Sequence, residues 1–235
     1  MGLPTMATIP SILKQFNNPF LSCPDSISMV LKASMKVKNW MTKKVITIDP
    51  EAKLQEAILL MRRHSIRHLP VVKDEELVGW VSEADIRSAY LASLIEDIRI
   101  KDVMIKDPIT VDPETPLEEA AKILYRHAIG GVPVVEGKKV VGVLTVRDIM
   151  GAFIELMGFL RESSRIDVIL GGKPHAFQEV SEIIRKHGAE IISVGISGPE
   201  DKRKRVYFLR LSKCDVKAIA EELEKAGYKV VAVIE

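Results

Sequence analysis

The chain matches itself when it is shifted by 63 residues. From Met41 to Ile86, 20 of 46 positions are identical to Met104 through Ile149, with no gap. Unrelated stretches of this length would agree at about three positions, so a duplicated unit governs the fold. Met41 falls on Met104, Thr47 on Thr110, and Asp49-Pro50-Glu51 on Asp112-Pro113-Glu114. His64 falls on His127, Pro70-Val71-Val72 on Pro133-Val134-Val135, Gly79 on Gly142, and Asp85-Ile86 on Asp148-Ile149.

One copy can be read element by element. Val45-Ile46-Thr47-Ile48 is a short β-branched run, predicted as a strand, ending at Asp49-Pro50, a turn and helix-start signal. Leu54, Ala57, Ile58 and Met61 recur at the spacing of one helix face. Leu69-Pro70-Val71-Val72 and Leu77-Val78-Gly79-Trp80-Val81 read as a hairpin around the polar turn Lys73-Asp74-Glu75-Glu76. Ser82 is placed to cap the following helix. The predicted order is strand, helix, strand, strand, helix. The second copy repeats it, with Leu117, Ala120, Ala121 and Leu124 as the helix stripe and Thr145 as the cap.

Composition removes several classes of function. An apolar fraction of 47% over 235 residues suits packed domains. Lys plus Arg is 34 and Asp plus Glu is 32, so the net charge of +2 gives no signature of a nucleic-acid binder. Cys23 and Cys214 form neither a disulfide framework nor a metal-ligand spacing, which fits a reduced, cytoplasmic setting. His64 and His68 stand four apart without an acidic partner, so no metal site is expected. No apolar run approaches the ~20 residues of a membrane helix, and the N-terminus lacks the basic region of a signal peptide. Residues 1–34 hold only three charged side chains, Lys14, Asp25 and Lys32, with four prolines and no apolar period. They are either an extension without regular structure or a segment upstream of a start at Met35.

Several of these features recur twice in the same order. They are Trp40-Met41-Thr42 and Val103-Met104, the two Pro-Val-Val strands, and Gly79-Trp80-Val81-Ser82 through Asp85 with Gly142-Val143-Leu144-Thr145 through Asp148. Together they resemble a tandem pair of cystathionine-β-synthase-type (CBS) domains, a Bateman module, over about residues 36–160. The resemblance implies an α+β fold in which two β-α-β-β-α units, residues 36–98 and 99–162, form a disc with pseudo-two-fold symmetry after an extension over 1–35. It also implies clefts between the units that take an adenine nucleotide: AMP, ADP, ATP or S-adenosylmethionine. No cofactor is required.

By the same resemblance, backbone near Val45, Ile46 and Ile109 reads the adenine edge, and Asp85 and Asp148 hold the ribose. A carboxylate accepts hydrogen bonds from both vicinal hydroxyls of a ribose, each charge-assisted bond contributing about 1.5–3 kcal/mol. Ser82 and Thr145 offer a hydroxyl near a helix start. Pro70, Gly131 and Pro133 complete the expected contact set. Ser-x-x-Asp is also a capping motif, in which the acid serves only its own helix. The copies differ where Arg67-His68 of the first faces Gly130-Gly131 of the second. A basic pair here reaches phosphates in relatives, and Arg147 adds a second cation. Unequal occupancy of the two clefts follows.

After Asp148, Ile149, Phe153, Leu156, Met157 and Leu160 form an apolar stripe of helical period, suited to a core or a dimer seam. Residues 163–235 read as strand, helix, strand, strand, helix, strand, with Ser197 to Arg205 as a polar hairpin turn. That order is ferredoxin-like and resembles an ACT domain. The ligand loop of that family carries an Asp and a Pro-Gly, where this chain has Gly171-Gly172-Lys173-Pro174-His175. Lys202-Arg203-Lys204-Arg205 reads as a solvated edge.

CBS followed by ACT resembles regulatory proteins of the acetoin-utilisation type. The expectation is an adenine-nucleotide-binding regulatory protein, a homodimer acting on an unidentified partner, and not an enzyme. The alternatives are a structural or oligomerising module without ligand, and a protein related to inosine-monophosphate dehydrogenase through its CBS region only. That enzyme needs a barrel with a nucleophilic Cys loop, which is not found here. A P-loop, nucleophile elbow and dinucleotide fingerprint are also missing.

Overall fold

The structure, a computed structural model, describes residues 35–90 and 97–235; the features expected of residues 1–34 lie outside the described residues. The chain divides into two compact units that part between Met150 and Gly151.

The first unit contains both copies. The first copy runs α1 (Val37–Trp40), α2 (Leu54–His64), β1 (His68–Lys73), β2 (Glu76–Ser82) and α3 (Glu83–Ala89). The second runs α4 (Ile100–Val103), α5 (Leu117–His127), β3 (Gly131–Glu136), β4 (Lys139–Thr145) and α6 (Val146–Leu156), which crosses into the second unit. The predicted stripes hold: Leu54, Ala57 and Met61 of α2 and Leu117, Ala120 and Leu124 of α5 are buried. Each fully buried Leu of this kind contributes about 1.5–3 kcal/mol. The hairpins form as expected, around Asp74-Glu75 and Gly137-Lys138, and join through Glu76 and Lys139 in a sheet of order β1-β2-β4-β3.

Two expectations need correcting. Val45 to Ile48 is not a strand: Ile48 alone makes a parallel bridge, to Val71. Its N–H donates to the Pro70 carbonyl at 3.1 Å and its carbonyl accepts from Val72 N–H at 2.9 Å. The Asp49-Pro50 turn then takes the chain off the sheet, because proline brings no further donor. The stripe after Asp148 does not continue to Leu160. The helix stops at Leu156, and Phe153, Leu156 and Leu160 are exposed, so none of the three is core.

The two copies exchange their leading segments. Val37 N–H donates to the Thr115 carbonyl at 3.0 Å and Lys38 N–H to Pro113 at 2.9 Å, while Ile100 N–H donates to Ala52 at 3.0 Å and Lys101 N–H to Pro50 at 2.9 Å. Thr42 bridges Val143, and Ile105 bridges Trp80. Met41 lies against Gly142 and Met104 against Gly79, so closely that a Cβ on either glycine would fall 2.3 or 2.4 Å from the methionine sulfur. Ion pairs repeat the pattern, Lys36 and Lys38 with Glu114, and Lys101 with Glu51. Ile100 accordingly packs in the core of the first copy, beside Leu54, Leu69 and Val81.

The second unit has the predicted element order: β5 (Ser163–Ile169), α7 (Ala176–Lys186), β6 (Ile191–Ser197), β7 (Val206–Ser212), α8 (Val216–Lys225) and β8 (Lys229–Ile234). All strand pairs are antiparallel, in the order β6-β7-β5-β8. The core lies where α7 and α8 bring Val180, Ile184, Ile219 and Leu223 onto Ile166, Val168, Leu209 and Leu211. Asp167 is buried in β5 and is held by a two-pronged bond from Arg165, at 2.7 and 2.8 Å. The polar turn after β6 contains a short 3-10 turn, Lys202–Lys204, with Arg203 paired to Asp201.

Candidate functional site

The residues expected to contact a ligand gather at one end of the two hairpins. His68 is the first residue of β1 and pairs with Ser82, the last of β2; Gly131 pairs with Thr145 in the same way. Each strand end then enters a helix through the same device. Ser82 N–H and Oγ–H donate to Asp85 Oδ2 at 2.8 and 2.6 Å, and Ser82 Oγ accepts from Asp85 N–H at 3.3 Å. Thr145 and Asp148 repeat these contacts at 2.8, 2.7 and 3.4 Å. The capping alternative is thus realised in both copies. In both, the acid spends Oδ2 on its own helix, and Oδ1 accepts no hydrogen bond from the described residues.

The backbone expected to read a base leads onto β1 and β3. Val45 and Ile46 are half-buried and lead to Ile48, which bonds Pro70; Ile109 is 38% exposed and leads to Val111, whose N–H donates to the Pro133 carbonyl at 3.2 Å. Pro70, Gly131 and Pro133 are buried. Arg67 and Arg147 are exposed and make no ion pair among the described residues.

His68 has partners in both copies. Its ring stacks on Trp80, with centroids 5.4 Å apart and planes 21° from parallel. It also lies over Gly130 and Gly131 of the second copy. Burial and the neighbouring Arg67 guanidinium lower its pKa, and Asp85 and Glu83 oppose that less strongly. The imidazole thus lies against the backbone of both glycines. The sequence reading places Trp80 in a strand and among the family features, not beside His68. The signal that could have marked it is its replacement by Val143 in the second copy, in parallel with His68 by Gly131.

The second unit carries two open hollows. One, of about 400 Å3, is lined by Phe177, Ile184 and Ile191 with Arg185 and Glu190; the other, of about 360 Å3, by His175, Gln178, Glu179 and Glu182. In the loop before α7, Lys173 Nζ donates to the Ala226 carbonyl at 2.9 Å and stands over the Tyr228 ring. Tyr228 donates to Glu179, and burial with that carboxylate raises the phenol pKa. Among the described residues no cluster of His, Cys, Asp and Glu could hold a metal, and no helix is long and apolar enough to cross a membrane.

Comparison with known proteins agrees with the duplication. The family described as "CBS domain" matches twice, over residues 37–92 and 100–155. A CBS domain-containing protein of Bacillus subtilis, YhcV, is 30% identical over 114 residues, 48% of this chain and 81% of that protein. A crystal structure of a protein described as a putative acetoin utilization protein, AcuB, from Vibrio cholerae is 34% identical. Its TM-score is 0.50, and the match covers 54% of this chain and 97% of that one. The inosine-5'-monophosphate dehydrogenase of Korarchaeum cryptofilum is 40% identical over 129 residues, 54% of this chain. The chain spans only 26% of that enzyme's length.

Proposed function

The chain belongs to the CBS-domain family, and we propose that its paired copies bind an adenine nucleotide and use that binding to regulate a partner. The observation that carries this reading is the repeated acid. Asp85 and Asp148 each keep one carboxylate oxygen without a hydrogen bond from the described residues, each in the turn that ends its own hairpin. Ribose hydroxyls are suited to that oxygen, and the exposed guanidiniums of Arg67 and Arg147 are suited to phosphate. Val45, Ile46 and Ile109 supply backbone for the base. AMP, ADP, ATP and S-adenosylmethionine share the adenosine that these groups would recognise. Regulation then means that ligand favours one arrangement of the copies over another, typically by about 1–3 kcal/mol.

The second unit is read as a ferredoxin-like, ACT-type domain that dimerises or docks the regulated partner. Its sheet order and two strand-crossing helices support this. The protein is read as a cytoplasmic homodimer without catalytic activity of its own.

Calorimetric titration of the full chain with the four ligands tests the nucleotide reading. At least one is expected to bind, and Asp85→Asn with Asp148→Asn is expected to weaken it by about tenfold or more. Asparagine keeps an acceptor for the cap, so the variant separates ribose contact from helix capping. No heat from any of the four, or unchanged affinity in the double variant, sinks the reading.

A further inference from the structure

The exposed residues of α6 fall into two arcs. Arg147, Gly151 and Glu155 lie in one, with half-buried Asp148 beside them. Val146, Met150, Phe153 and Leu156 lie in the other, with half-buried Ile149 among them, and this second arc carries no charge. At 3.6 residues per turn it covers about 120° of the helix. Ala152 faces the buried side between the arcs, and half-buried Ile154 stands at their other border. The Phe153 ring is braced edge-on by Phe159, with centroids 6.2 Å apart. Leu160, past the turn at Gly158, is 81% exposed.

We propose that the uncharged arc of α6 is the face of a homodimer, covered by the same arc of a second copy that runs antiparallel across Phe153. The spacing selects that occupant. Met150 and Leu156 stand three residues either side of Phe153, Ile149 and Met157 four, and Val146 and Leu160 seven. A two-fold axis at Phe153 therefore sets Phe153 on Phe153 and Met150 on Leu156, apolar against apolar. The proposal rests on the homodimer reading above and adds to it where the copies meet.

The area is sufficient for such a face. Val146, Met150, Phe153, Leu156 and Leu160 are 39–81% exposed and together present about 500 Å2 of apolar surface, at the upper end of what a monomer leaves to water. A stable interface takes about 800 Å2 from each partner, a little over half of it apolar, so this stripe supplies nearly the whole apolar share. A partner that brought a charge to the centre of this arc would leave it buried and unpaired, whereas a second copy brings none.

The test is sedimentation of the full chain. Wild type is expected to be a dimer at about 10 μM. Phe153→Glu and Met150→Glu are each expected to raise the dimer dissociation constant about thirtyfold or more, as loss of a central anchor does. Gly151→Glu puts the same charge on the polar arc of the same helix, where a new Cβ meets nothing within 4 Å, and is expected to leave the dimer intact. A second readout does not depend on the glutamate variants folding. In a Cys23→Ser, Cys214→Ser background, a short bismaleimide is expected to join two copies of Phe153→Cys and not two copies of Glu155→Cys. A monomeric wild type overturns the proposal together with the homodimer reading, and leaves the arc to residues 1–34 or to another protein. A dimer that survives both glutamate variants, or that the linker does not join at Phe153→Cys, overturns the α6 face alone and keeps the homodimer.

Discussion

The first and second copies agree where each must hold itself together and differ where they meet. Both end β2 or β4 in the same hydroxyl–carboxylate cap, and both send a methionine onto the other's glycine. Arg67, His68 and Trp80 of the first copy correspond to Gly130, Gly131 and Val143 of the second, and the His68 ring lies against Gly130 and Gly131. At Gly130 and Gly131 the second copy leaves room for the His68 ring of the first, so the contact is not repeated.

The comparison is broken most forcefully at the exchanged methionines. Gly79→Val and Gly142→Val are each expected to lower the unfolding free energy by about 1–3 kcal/mol. Gly79 is the costlier, because its new Cβ also meets the Ile105 carbonyl at 3.1 Å, whereas at Gly142 the nearest atoms belong to Met41. Urea titration of the full chain measures both; a silent variant on one side would show that the exchange is not reciprocal in energy. Next come the caps. Ser82→Ala and Thr145→Ala are expected to cost about 1 kcal/mol each, and a marked inequality would show that one turn does more than hold its helix.

The smallest effect sharpens the contrast at the seam. His68 has its folded pKa below the unfolded value of 6.5, so the unfolded chain binds the proton first. Stability is therefore full above about pH 6.5 and declines as pH falls through the folded value. His68→Phe is expected to remove that part of the acid sensitivity, read as a smaller shift in urea midpoint between about pH 7.5 and pH 5.5. An equal shift in wild type and variant would mean that the ring is not held as described.

Much of this was legible in the sequence, for reasons that are local. Helix stripes such as Leu54, Ala57 and Met61 follow from periodicity, and Ser82 with Asp85 follows from a spacing that fits one helical turn. The strand reading of Val45 to Ile48 failed because β-branching states a preference, while the neighbouring Asp49-Pro50 turn left one residue to pair. The four-residue helices α1 and α4 were missed, being too short to show a period. The shift of 63 residues made Met41 and Met104 equivalent, yet gave no sign that each packs on the opposite copy. Which glycine a side chain meets is a tertiary fact. The same holds for His68, whose charge pattern suggested phosphate and whose neighbours are an indole and two glycines.

The crossed leading segments bear on how such a chain can be divided. A cut between Ala89 and Arg99 would leave the first piece holding α1, the clasp that fits the second, and the second holding α4, the clasp that fits the first. Neither piece would close its own edge, yet mixed together each carries what the other lacks. A single copy on its own would meet the same need only by pairing with a second chain.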